Sequence, residues 1–321
     1  MSLPEVVSGF RHEALFYSSR EEFLDGAVPF IEGGVAEGGP VLVVVDREKI
    51  GLLRTALGAG ADRVDFADMA EVGRNPARII PLWRRFVDRN LVDGKPVRGI
   101  GEPLWAGRSS AEVVECQAHE TLLNTAFGDG SAWSLLCPYD VAALDAQVVD
   151  EARRSHPSLI ADGVRTSSAD YVFDHPSPAR WDHRLDPPPV GAAQCPFASD
   201  RGSPAAVRRF VRDHATATPL DRAAVERVVL TVNELVTNSV VHGGGHGVVR
   251  LWRDGDTLVC EVRDAGTLVA DPLTGRRAPT GGQPGGRGLW LVNQLCDLVQ
   301  VRTAPESTVV RTHHRLTAPH C

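Results

Sequence analysis

The 321-residue chain predicts an α/β protein of two units. Its first half alternates short apolar runs with helical patterns. The run Val41-Leu42-Val43-Val44-Val45 has no polar break, as expected of a strand buried on both faces of a parallel sheet. Pro176, Pro178, Pro187, Pro188 and Pro189 then interrupt regular structure. After them come a long valine-patterned helix, a hairpin, a glycine-rich stretch and a further helix. Domains are expected over 9–173 and 203–317, with a proline-rich linker over 174–202.

In the first half the pattern predicts strands at 14–17, 41–46, 64–67, 97–101, 132–137 and 171–173, and helices at 21–37, 76–91, 110–127 and 141–155. Gly33-Gly34 and Gly38-Gly39 read as helix-to-strand turns, because no Gly-Lys-Ser/Thr follows to complete a phosphate loop. Ligands of such sheets gather beyond the carboxyl ends of the strands. There the pattern places Tyr17, Asp46, Glu102, Pro103, Trp105, Tyr139 and Asp140, the candidates for an effector pocket, although each aromatic ring could equally cap the core. Cys116 and His119, three apart on a helix, could share a metal with His12. That set lacks a fixed fourth ligand, so a structural role is the simpler expectation.

In the second half Val225, Val228, Val229, Val232, Leu235, Val236 and Val240 recur at helical spacing, leaving Glu234, Asn238 and His242 outside the apolar stripe. Glu234 and Asn238 are about one turn apart and share a face. A neutral amide oxygen suits a hard cation such as Mg2+, and a carboxylate beside it can accept a proton or order a water. A solvated helix face would look the same in isolation. The helix is followed, however, by a hairpin over 248–253 and 258–263 that turns at Asp254-Gly255-Asp256 and ends at Asp264-Ala265-Gly266, where a carboxylate can accept from an exocyclic amine. The stretch 267–284 has few apolar residues and reads as a lid. Gly285-Gly286-Arg287-Gly288 then opens a helix expected over 289–299, where free N–H groups can meet phosphate oxygens.

Composition narrows the function. A formal charge of −7 argues against a general nucleic-acid surface, and the six cysteines form no CxxC pair or disulfide-like framework. Neither a leader pattern nor ~20 uninterrupted apolar residues occurs, so a cytoplasmic protein without a membrane span is expected. The prolines before the second unit forbid a phosphoacceptor helical hairpin, and His156, His175 and His183 read as linker or surface residues.

The array of the second half resembles the GHKL ATPase superfamily. Glu234 and Asn238 match its N box, Asp264 and Gly266 its G1 box, and Gly286-Arg287-Gly288-Leu289 its G2 box. The runs Val232 to Ser239 and Gly286 to Val292 are similar to those of the anti-sigma-factor serine kinase branch. The resemblance covers roughly 203–317. It implies an α/β sandwich with a mixed sheet and helices on one face, Asn238 as Mg2+ ligand, Glu234 as general base, and Asp264 as the group reading adenine N6. Leu268 stands where the fuller G1 pattern has another glycine.

The first half resembles the MEDS sensory domain, a RecA-like parallel-sheet module, through His12 to Tyr17, Gly101 to Trp105, His119 to Asn124 and Leu136 to Asp140, over roughly 9–160. That family is thought to sense small organic molecules. Together the resemblances imply a sensor-regulator that binds ATP and Mg2+. It would act as an anti-sigma factor and serine/threonine kinase on an anti-anti-sigma (STAS) protein, with a sigma factor as further partner and homodimerisation typical of the branch. The alternative is a non-catalytic, nucleotide-dependent module that sequesters a sigma factor.

Overall fold

Strands buried on both faces need cover on both faces, and the first unit provides it. The computed structural model describes residues 9–91, 95–172, 184–199, 203–266, 271–279, 287–304 and 307–316. The chain divides into Met1–Ser177 and Pro178–Cys321. In the first unit β1 (Phe10–Tyr17), α1 (Arg20–Ala36), β2 (Val41–Val45), α2 (Arg47–Leu57), β3 (Asp65–Asp68) and α3 (Met69–Val72) are followed by α4 (Ile79–Asn90), β4 (Val97–Gly101), α5 (Ser110–Ala126), β5 (Trp133–Asp140) and α6 (Ala146–Ser155), and then by β6 (Ser158–Ala161) and β7 (Val164–Ser167). The strand order is β3-β2-β4-β5-β1-β6-β7, parallel except for the β6–β7 edge hairpin.

Local chemistry explains the elements. Ser19 caps α1 by accepting from Glu22 N–H, and Ser109 with Glu112 forms a reciprocal capping box on α5. Phe23, Ala27, Ile31 and Gly34 bury one face of α1. Gly99 and Gly101 leave β4 bare on one side, where a Cβ would lie 2.8 and 2.9 Å from the Trp83 indole; the fully buried Trp83 takes that space.

Three expectations are corrected. Tyr171 and Val172 are not in a strand, and Phe173 lies outside the described residues. The additional strands are β6 and β7, turned at Asp162 (φ 50°) and Gly163 (φ 71°). The helix expected from 141 begins at Ala146, because Asp140 first accepts from Ala142 N–H and holds a turn. Helix α2, capped by Asp46, lies between two of the expected strands, as the alternation requires.

In the second unit β8 (Ala193–Ala198), α7 (Ser203–Thr216), α8 (Arg222–His242), β9 (His246–Asp254), β10 (Thr257–Asp264), α9 (Arg287–Leu295), β11 (Leu298–Ala304) and β12 (Ser307–Arg315) make a five-stranded sheet of order β11-β12-β10-β9-β8. The three helices share one core with the sheet, through Val207, Val228, Val232, Cys260, Val292 and Val299 among others. Every pairing is antiparallel, not mixed as expected. Ala193–Ala198, expected in the linker, is an edge strand on β9. Leu298 and Val299, expected to end the last helix, begin β11.

The loop after β4 is held by one side chain. Arg108 is buried and donates to the carbonyls of Pro103 (2.7 Å), Gly73 (2.8 Å) and Arg74 (3.2 Å), lies 3.7 Å from Glu112, and stacks on Trp105 with its guanidinium carbon 3.9 Å from the ring centre. Arg108→Met keeps much of the volume but orphans these acceptors. The urea midpoint should fall by the equivalent of about 2–4 kcal/mol; an unchanged midpoint would show that other contacts hold the loop.

Candidate functional site

Helix α8 is a ruler. Asp221 caps its start, accepting from Ala224 N–H at 2.6 Å, and Val225, Val228, Val229, Val232, Leu235 and Val236 are buried along it. That burial fixes the rotation of the helix, and Glu234 and Asn238 emerge half-buried on one face. The first turn of α9 closes on them. A Cβ at Gly288 would lie 2.9 Å from Asn238 Nδ2, 3.1 Å from Asn238 Oδ1 and 3.3 Å from Glu234 Oε2. A side chain there would displace the polar ends of both residues.

The next residue on α8 reaches the end of β10. Ser239 Oγ donates to Asp264 Oδ2, Gly266 N–H donates to Asp264 Oδ1 at 2.9 Å, and Thr308 Oγ1 donates to Gly266 O at 2.9 Å. A Cβ at Gly243 would lie 2.5 Å from the Asp264 carboxylate, and one at Gly266 would lie 2.3 Å from Gly243 Cα. The half-buried carboxylate is thus fixed in direction, with lone pairs left to accept from a ligand. Ser239 and Thr308 were missed in the sequence. The serine adjoins Asn238 but faces inward, and the threonine is distant in the chain.

Of the other expected residues, Arg287 is exposed at the start of α9. Leu289 turns its side chain into the core, leaving only its backbone for a ligand. Gly286 and Leu268 lie outside the described residues. His242 is exposed at the end of α8. In the expected lid, Leu273 is buried and Asn293 donates to Gly275 O at 2.9 Å, so the described part, 271–279, is fastened to α9.

In the first unit Tyr17, Asp46 and Glu102 do come together, through a residue the pattern did not single out. Tyr17 donates to Glu102 Oε1 at 2.6 Å, and Lys49 Nζ lies 2.9 Å from Glu102 Oε2 and 2.8 Å from Asp46 Oδ2. Burial pushes the Glu102 carboxyl up to about 7, against the pull of Lys49 and the Tyr17 hydroxyl. Lys49, one turn into α2 from the capping Asp46, was the available signal. Trp105 is covered by the Arg108 guanidinium.

Tyr139 does not join them. Side chains alternate across a sheet, and the ring of Tyr139 packs on Phe16 and edge-on to His156, whereas Tyr17 packs on Phe23 of α1. Of the trio His12, Cys116 and His119, Cys116 has the structural role that was the simpler expectation, its Sγ donating to Pro103 O at 3.3 Å. His12 instead meets Glu120, Cys137 and His156. His156, expected in a linker or at the surface, is fully buried.

No helix among the described residues is long and apolar enough to cross a membrane. The sequence over 11–157 matches the family described as MEDS, the methanogen/methylotroph, DcmR sensory domain, and 197–313 matches the histidine kinase-like ATPase domain. No curated protein matches the chain. Among solved structures, the RsbU and RsbW domains of Rv1364c from Mycobacterium tuberculosis align at 17% identity and a TM-score of 0.30, over 40% of this chain and 32% of that one. The histidine kinase AdeS of Acinetobacter baumannii aligns at 12% identity and a TM-score of 0.26, over 40% of this chain and 70% of that one. The chain therefore joins a MEDS sensory domain to a histidine kinase-like ATPase domain.

Proposed function

We propose that the C-terminal domain binds Mg-ATP and works as an anti-sigma factor and serine/threonine kinase on an anti-anti-sigma (STAS) protein, gated by a small organic signal at the N-terminal domain. The observation that carries the nucleotide site is the seating of Gly288 against both Glu234 and Asn238. The donor set fits the group. Asn238 offers a neutral oxygen to a hard cation, Asp264 keeps acceptor capacity for an exocyclic amine, and Gly266 and Gly288 hold places that a side chain would fill. Bound Mg-ATP supplies the transferable γ-phosphoryl group. The chain's own part is to position: Asn238 at the metal, Arg287 near the phosphates, and Glu234 to accept the proton of the attacking hydroxyl. The kinase branch and its partners rest on the N-box and G2-box runs around Asn238 and Gly288. A gating signal has the Tyr17–Glu102–Lys49–Asp46 chain to act on, since a ligand competing for Lys49 would release a buried carboxylate.

Calorimetry on the full chain should show Mg-ATP binding that weakens about tenfold or more, 1.4 kcal/mol, in Asn238→Ala, with the melting point of the nucleotide-free protein unchanged. A drop in that melting point without altered binding would make Asn238 a structural amide. Gly288→Ala should also abolish binding, because its methyl group would push on Asn238 and Glu234; wild-type affinity would place the nucleotide elsewhere. Glu234→Gln should keep binding but slow transfer to a STAS partner by about 10²–10⁴-fold. Transfer at the wild-type rate would refute the base. Tight nucleotide-dependent partner binding with no transfer by the wild-type protein would favour the non-catalytic reading.

A further inference from the structure

Four potential ligand atoms converge in the dry interior of the first unit, on the sheet face opposite Tyr17. His12 from β1, Glu120 from α5, Cys137 from β5 and His156 just past α6 are all buried, and one ligand atom of each lies within 4.8 Å of all the others. His12 Nε2 and His156 Nε2 each lie 3.2 Å from Glu120 Oε2, and Cys137 Sγ lies 3.4 Å from His12 Nε2. Tetrahedral zinc with bonds of about 2.0–2.3 Å separates its donors by roughly 3.3–3.8 Å. Three of the pairs, at 3.2, 3.2 and 3.4 Å, come close to these spacings, and every pair lies within 4.8 Å.

The outer hydrogen bonds decide what the inner atoms are. Asn124 Nδ2 donates to Ser155 O at 2.8 Å, which turns its Oδ1 toward His12 Nδ1 at 3.1 Å; His12 Nδ1 is therefore the protonated nitrogen. His156 Nδ1 faces Ala152 O at 2.8 Å and is likewise the donor. In the neutral form of each ring Nε2 then carries a lone pair aimed at Glu120 Oε2. Among the described residues Glu120 Oε1 has no hydrogen-bond partner. A cation placed among acceptors that converge in a buried cluster satisfies them together.

We propose that His12 Nε2, His156 Nε2, Glu120 Oε2 and Cys137 Sγ bind one divalent transition-metal ion, zinc above all. Mixed nitrogen and sulfur donors select zinc over magnesium or calcium. Binding forms the metal–sulfur bond and releases the Cys137 thiol proton to solvent; thiolate and carboxylate then neutralise the 2+ charge, so the site can stay buried. Four protein ligands close the coordination sphere, as in structural rather than catalytic zinc sites. Asn124 Oδ1 and Ala152 O each meet the Nδ1 side of one imidazole and so orient the two rings. The ion would fasten β1, α5, β5 and the exit of α6, elements that also carry Tyr17 and Tyr139.

The test is metal analysis of the full-length protein, followed by refolding with Co2+ and an absorption spectrum. About one zinc per chain is expected, with a thiolate-to-cobalt charge-transfer band and visible d–d bands of tetrahedral intensity. Cys137→Ser should lose the charge-transfer band and Cys116→Ser should keep it. Asn124→Ala leaves all four ligands in place and should weaken zinc about 10–100-fold, which keeps the proposal testable even if a ligand variant fails to fold. A folded wild-type chain that contains no zinc and takes up neither ion would overturn the site. Metal bound with an unchanged spectrum in Cys137→Ser would overturn it too.

Discussion

A carboxylate in a dry interior must be met by charge or by donors, and several of the tertiary ties in this chain meet that demand. Glu13 on β1 is answered by Arg165 on β7 at 2.7 Å, tying the edge hairpin to the centre of the sheet. Glu102, at the end of β4, draws in Tyr17 of β1 and Lys49 of α2. Glu120 gathers the imidazoles of His12 and His156. In the second unit Glu261 on β10 takes Arg250 of β9 at 3.0 Å and Arg311 of β12 at 2.6 Å, and Arg311 in turn donates to Asp186 O, laying the segment before β8 along the sheet face away from the helices. Apart from Arg250–Glu261 within the β9–β10 hairpin, each side-chain tie joins residues far apart in the chain. Apolar burial alone would leave their mutual placement looser.

The nucleotide end of the second unit follows from a simpler constraint. Once the valines of α8 are buried, the rotation of the helix is set, and three consecutive functions fall on its flank: Glu234, then Asn238 a turn later, then Ser239 toward Asp264. The glycines at 243, 266 and 288 let β10 and α9 close around that flank without collision. A carboxylate, an amide and a second carboxylate are thereby presented along one helix without any long loop to position them.

Much of this was legible because it is periodic. The valine stripe of α8 revealed Glu234 and Asn238 by exclusion, the Asp-Gly turn with its flanking apolar runs revealed the β9–β10 hairpin, and the uninterrupted 41–45 run revealed a central parallel strand. What escaped was set by partners distant in sequence. β8 contains Pro196 and follows three prolines, so its local chemistry reads as linker, and only pairing with β9 makes it a strand. β11 hides behind Leu295 and Leu298, which continue a helical spacing that Cys296 and Asp297 break. His156 sits beside Pro157, a surface signature, yet it is buried because the end of α6 points it at a carboxylate 36 positions earlier. Tyr139 was misplaced because strand alternation is counted from the register, and β5 extends three residues beyond its expected end.

β8 also decides how the second sheet ends. An antiparallel sheet normally leaves its outermost strand as a template on which another chain can hydrogen-bond. Here that strand carries Pro196, which has no N–H to contribute, and Pro187, Pro188 and Pro189 lie a few residues before it. Strand addition by a stranger is blunted at this margin, so recognition of the ATPase unit by another protein is left to its helices, its loops or the opposite margin at β11.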